Sequence, residues 1–177
     1  MSRLALIAIH VVLYGACFIA SDVRDHLPAA PMSLVLAVGL IAASVDDVRR
    51  YIIPDWASLG LILVGFAAIW VLDPDHLGWH ALAALIWFAV LALIGEGYFR
   101  WRGIDGLGLG DAKLMAAGAV WVGPIPSLSV LLIASVGGVL AALSLMLRKR
   151  DLSQRGIAFG PFLALAIWVV WLYGPVL

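Results

Sequence analysis

Gly106-Leu107-Gly108-Leu109-Gly110-Asp111-Ala112-Lys113-Leu114 sets a carboxylate beside three alternating glycines, between two apolar segments. An acid next to hydrocarbon is costly unless it is shielded inside a bundle or put to use. Glycine lets a neighbouring backbone approach closely. The apolar run that follows, Ala112 to Val122, is too short at 1.5 Å per residue to cross a hydrocarbon core of about 30 Å. Its helix must begin at or before Asp111, which puts Asp111 near or within membrane depth.

Composition fits that setting. Of 177 residues 64% are hydrophobic, the mean hydropathy is +1.09 and charged residues make up 12%, about half the share usual in a soluble domain. These values describe an integral membrane protein of one domain, residues 1–177, in a single compact bundle. The formal charge is zero, so overall charge names no partner, and none is expected among nucleic acids. The single cysteine, Cys17, sits in an apolar run and leaves no room for an internal disulfide or a cysteine-based zinc site. The four histidines, His10, His26, His76 and His80, have no metal-ligand spacing, so neither metal nor other cofactor is expected.

Outward from the glycine-aspartate stretch, the chain divides into apolar runs. Leu4–Ala20 is the first. It lacks a small-x-small exit and is expected to be a retained helix rather than a cleaved signal. Met32–Val45 covers roughly 20 Å. Its helix either starts near Pro31 or continues through Asp46 and Asp47. A charged loop with a Pro54 break is expected over Asp46–Asp55. Trp56–Leu72 and Trp79–Ile94 are the next spans, and the second is followed by an expected loop, GEGYFRWRGIDGLGLGD. Beyond Ala112–Val122 come Leu128–Leu147 and Ala158–Leu177. The fold expected is an all-α polytopic bundle of about seven transmembrane helices with a core of six. The eight tryptophans fall mostly near the run boundaries, as interfacial belts do.

With seven spans, one side of the membrane holds Arg3, Arg49, Arg50, Arg100, Arg102, Lys113, Arg148, Lys149, Arg150 and Arg155, and the other only Arg24. The positive-inside rule makes the first side, with the N-terminus, cytoplasmic and puts the C-terminus outside. Asp47 and Asp111 then lie at the same cytoplasmic face, where two carboxylates from different helix ends can meet.

GxGD alone is weak: this composition yields it by chance about 0.1 times. Context strengthens it. Asp47 precedes Pro54 by seven positions, and Gly160-Pro161-Phe162-Leu163-Ala164-Leu165 opens the last run on the same side. Together, Asp47-Val48-Arg49-Arg50-Tyr51-Ile52-Ile53-Pro54-Asp55, Gly108-Leu109-Gly110-Asp111-Ala112-Lys113-Leu114 and the GPFLAL stretch resemble the bacterial prepilin peptidases, which are GxGD aspartyl membrane proteases. The match runs from about Ala43 to Trp168. The resemblance implies that Asp47 and Asp111 are catalytic. It also implies that the substrates are membrane-inserted type IV prepilins or pseudopilins in the inner membrane. Their short basic leader would be cut at the cytoplasmic face, just before the hydrophobic stem. Larger members carry a cysteine-containing region linked to N-methylation. This sequence shows no such region, so the expectation is peptidase activity without N-methyltransferase activity.

The residues suit that chemistry independently. Two carboxylates held close cannot both ionise, so the pair shares a proton. The ionised partner takes a proton from water; the protonated partner hydrogen-bonds the carbonyl oxygen and then assists the leaving amine. The pair titrates as a unit. Gly108 and Gly110 would let a substrate backbone reach Asp111.

Each residue has a plainer reading. Asp111 can cap the helix that follows it, and Asp47 can be an interfacial charge paired with Arg50. Asp46 has the wrong spacing to Pro54 and reads as structural or as a substrate contact. Asp55 and Asp105 are solvated loop acids or attract a basic leader. In the second case, replacing both with asparagine raises KM for basic leaders. Lys113 anchors the interface or tunes Asp111. Gly160-Pro161 starts a helix or also shapes the cleft. Glu96 reads as a helix-end polar residue, and Arg148–Arg150 as a topological anchor or an anionic-lipid contact. Two other classes of function use the same acids or none: a proton-coupled transporter or channel, and a non-catalytic assembly protein.

Overall fold

The computed structural model describes residues 2–21, 29–103, 106–147 and 157–176. Among these residues the chain forms seven α-helices and one 3-10 turn, with no strand: α1 (Arg3–Ile19), α2 (Ala29–Arg50), α3 (Asp55–Leu72), the turn Pro74–His76, α4 (Leu77–Arg102), α5 (Leu109–Val122), α6 (Pro124–Leu147) and α7 (Gly160–Tyr173). An all-helical chain follows from its solvent, since a lipid-exposed backbone must satisfy its own hydrogen bonds. Four segments are long and apolar enough to cross a membrane: Ala30–Arg50, Asp55–Leu72, Pro74–Arg102 and Pro124–Leu147. α1 and α7 are apolar but shorter. This is a multi-pass membrane protein.

Two boundaries differ from the sequence reading. α2 has 22 residues, roughly 33 Å of helix. It starts just before Pro31 and also runs through Asp46 and Asp47, so both acids are helical rather than part of a loop. α4 does not stop at Ile94 but continues to Arg102, which shortens the expected glycine-rich loop. Gly95 does not break the helix; it makes room. A Cβ there would stand 2.7 Å from the Leu107 carbonyl oxygen. Glu96 accepts from Arg100 Nε at 2.7 Å, an i,i+4 pair that supports the added turns. Gly103, at φ 69°, ends the helix in the left-handed region.

α5 is the hub, packed against α3, α4, α6 and α7. Ala112 and every residue from Leu114 to Trp121 are buried. Small residues allow this. A Cβ on Gly118 would fall 2.6 Å from Ile167 of α7, and one on Gly65 of α3 would fall 2.7 Å from the Trp121 ring nitrogen. Where helices have no hydrophobic drive to associate, such close contact and interhelical hydrogen bonds hold them together.

Four of the eight tryptophans fit the belt expectation and four depart from it. Trp56, Trp70, Trp79 and Trp101 are exposed. Trp121 and Trp168 are fully buried, and Trp87 and Trp171 pack against the core. Each of these four indole N–H groups donates across helices: Trp87 to Ser127 Oγ at 2.7 Å, Trp121 to the Leu61 carbonyl at 2.9 Å, Trp168 to the Tyr14 carbonyl at 3.2 Å and Trp171 to Ser33 Oγ at 2.8 Å. A ring that finds an acceptor on another helix can leave the interface.

One end of the bundle gathers the functional sequence. The α2–α3 turn and the starts of α5 and α7 meet there: Gly110 packs on Ile53, and Gly160 on Asp47. Arg3 borders a groove with Val45 near the same end. Arg49, Arg50, Arg100, Arg102 and Lys113 stand at this end as well. Arg24, Arg148, Lys149, Arg150 and Arg155 lie outside the described residues, as do His26 and Asp105.

Candidate active site

Asp47 occupies the last turn of α2 and is only 6% exposed. Gly160 holds it: the Gly160 backbone N–H donates to Asp47 Oδ2 at 2.9 Å. The fit depends on a bare α-carbon. A Cβ on Gly160 would lie 2.7 Å from Oδ2 and 3.0 Å from Cγ of Asp47. Pro161 follows in the first turn of α7, where its fixed φ suits a helix start and its missing N–H costs nothing.

Asp111 stands in the first turn of α5, whose N-cap is Gly108 in an extended conformation. Its own N–H donates to the Gly108 carbonyl at 3.1 Å. The N-cap is Gly108 and no side-chain bond caps the helix, so the capping expectation for Asp111 is not met. α5 and α7 both present the positive end of the helix dipole to the acids.

The two carboxylates share two cavities. The larger, about 630 Å³, is lined by Asp47, Tyr51, Asp111, the 106–108 backbone, the 157–159 segment and one face of α6. The smaller, about 280 Å³, is lined by Asp47, the 51–53 turn, Asp55 and residues 108–111. Acids 64 positions apart in sequence thus border the same space.

The other sequence candidates divide. Gly108 faces both cavities, and a Cβ there would meet Asp111 Oδ2 at 3.5 Å. Gly110 borders the smaller cavity, but the space its side chain would need belongs to Ile53, 3.0 Å away. Pro54 N-caps α3. Lys113 extends to Asp55, Nζ to Oδ1 at 2.6 Å, tying α5 to the start of α3. Asp55 still borders the smaller cavity. Asp46 is half-buried and lines neither cavity, because consecutive helical residues do not share a face. Of the histidines, His10 bonds Ser44 Oγ at 2.6 Å, His80 the Val120 carbonyl at 2.6 Å and His76 Asp73 at 2.7 Å.

Sequence reasoning missed Tyr51 and the α6 wall. Tyr51 follows α2 with φ 56°, a left-handed conformation that costs a residue with a Cβ about 1 kcal/mol or more. It lines both cavities. The available signal was its position one helical turn beyond Asp47. Ser135, Gly138, Val139 and Ala142 line the larger cavity from α6; their i, i+3, i+4, i+7 spacing marks one face.

The fold and this end of it define a class: a polytopic helical membrane protein with paired acids set into one end of the bundle. The chain belongs to the type IV leader peptidase family, whose model matches residues 34–143. It is 36% identical over 147 residues to a prepilin leader peptidase/N-methyltransferase of Xanthomonas campestris pv. campestris, covering 80% of this chain and 50% of that protein. A protein of the same description from Pseudomonas aeruginosa is 34% identical over 148 residues, covering 80% and 49%. One from Escherichia coli K12 is 33% identical over 160 residues, covering 88% and 69%. The chain spans about half the length of the first two relatives. No solved structure matches it at a significant level.

Proposed function

We propose that this protein is an aspartic endopeptidase of the bacterial inner membrane. Its substrates are type IV prepilins or pseudopilins, from which it removes the short basic leader at the cytoplasmic face. The observation that carries the reading is the shared wall: Asp47 of α2 and Asp111 of α5 border the same two cavities. Family membership and the names of the relatives support the substrate class.

In this reading one carboxylate is ionised and its partner protonated. The ionised oxygen takes a proton from water as the water oxygen attacks the scissile carbonyl carbon. The protonated partner hydrogen-bonds the carbonyl oxygen. Collapse of the tetrahedral intermediate breaks the C–N bond, and the amine leaves with a proton from the dyad. Gly160 fixes one oxygen of Asp47 and thereby orients the group. A membrane-inserted substrate enters laterally, its leader toward the end of the bundle that carries the described cations.

Co-expression with a prepilin tests this. Leader removal by the wild type, and its loss by roughly a thousandfold in Asp47→Asn or Asp111→Asn with folding intact, is expected of a dyad in which each acid has a proton to move. A single asparagine variant with full activity would refute the assignment.

A further inference from the structure

Asp47, Tyr51, Gly108 and Asp111 line both cavities. Tyr51 is the unexpected member. Among the described residues it is the one non-glycine with positive φ, at 56°. Conformations of this kind persist where the surroundings over-determine them, often at functional sites. The Tyr51 N–H donates to the Asp47 carbonyl at 2.8 Å, so the ring is carried one turn beyond a dyad acid. The residue is 47% exposed although it borders the cleft. Much of it is therefore uncovered by protein.

The cavities on either side of it differ in the elements that wall them. The larger is walled by Ser135, Gly138, Val139 and Ala142 of α6, a helix long and apolar enough to cross a bilayer. The smaller is formed by the turn after α2 and the glycine-rich start of α5, with Asp55 at its border. A polypeptide laid across the acids runs from the α6 wall on one side to the Asp55 border on the other.

We propose that the Tyr51 ring contacts the substrate where the chain passes from the α6-walled cavity to the one bordered by Asp55, and so selects which amide reaches the two acids. This rests on the peptidase reading. The plainer role for Tyr51 is to terminate α2. A residue needed only for that would be better replaced by glycine, which enters the left-handed region with no Cβ penalty. The two roles therefore predict opposite results for one substitution.

The test uses the full chain in detergent micelles and a type IV prepilin bearing its leader, with steady-state leader removal and thermal unfolding measured together. Tyr51→Gly is expected to unfold at or above the wild-type temperature while kcat/KM falls at least tenfold, chiefly through KM. Tyr51→Phe, which keeps the ring, is expected to retain at least half of kcat/KM. A glycine variant within twofold of wild type overturns the proposal, as does a phenylalanine variant as impaired as the glycine one. Should Tyr51→Gly not fold, Tyr51→Asn, which also tolerates positive φ, takes its place under the same limits. If the wild type leaves the leader attached, the peptidase reading falls and this inference with it. If the wild type cuts and the glycine variant cuts equally well, this inference alone falls.

Discussion

α5 and α7 have 14 residues each, whereas α6 has 24 and α4 has 26. The short pair is buried along most of its length. In the long pair the apolar stretch of α6 is only 11% buried and that of α4 22%. The difference has a physical cause and a functional result. A helix shorter than the hydrocarbon is tolerated where protein, rather than lipid, surrounds it. Its end then lies inside the bundle. Both short helices begin beside the acid pair, and the cavities occupy the space their short length leaves. The long helices supply the wall to lipid.

That contrast can be broken at several points. The largest effect is expected where a short helix begins. Gly160→Ala places a methyl 2.7 Å from Asp47 Oδ2 in a buried position. Asp47 must turn away, and a misplacement of this size costs about a hundredfold in rate. Leader removal should fall by that factor in kcat with the unfolding temperature little changed. Wild-type kcat in Gly160→Ala would mean that Asp47 does not need the orientation seen here.

Next in size is a change inside the short helices. Gly118→Val drives branched carbons toward Ile167, already 2.6 Å from a single Cβ and itself fully buried. Overpacking of this kind costs roughly 1–3 kcal/mol. A clear drop in the unfolding temperature in detergent is expected. An unchanged temperature would show that α5 and α7 can separate at no cost.

The helices themselves were legible in the sequence because a bilayer accepts few alternatives: each apolar run had to become a helix. Their ends were not. Gly95 and Gly97 fell in the expected loop, yet α4 passes through both, because in a membrane bundle glycine more often permits a contact than ends a helix. The acids were legible from spacing to Pro54 and from GxGD. Gly160 was visible as part of a stretch, but its bond to Asp47 spans 113 positions. Lys113 sits two residues from Asp111, and its partner, Asp55, is 58 positions away. Tyr51 was marked only by its place one turn beyond Asp47, and its residue type disfavours the conformation it adopts. Long-range pairing and unfavourable backbone are what one-dimensional periodicity leaves out.

The smallest effect belongs to the long helices. Leu140 of α6 is 61% exposed and lines neither cavity. Lipid can replace the methylenes removed by Leu140→Ala with no packed protein lost, so the change should stay within about 0.5 kcal/mol. The contrast with Gly118→Val then separates the two halves of the bundle in one experiment, because adding carbons to a buried helix destabilises while removing them from an exposed one does not. Equal losses in the unfolding temperature would mean that α6 is covered in the membrane by something other than lipid. The division into a short buried pair and a long exposed pair would then describe the single chain and not its assembled form.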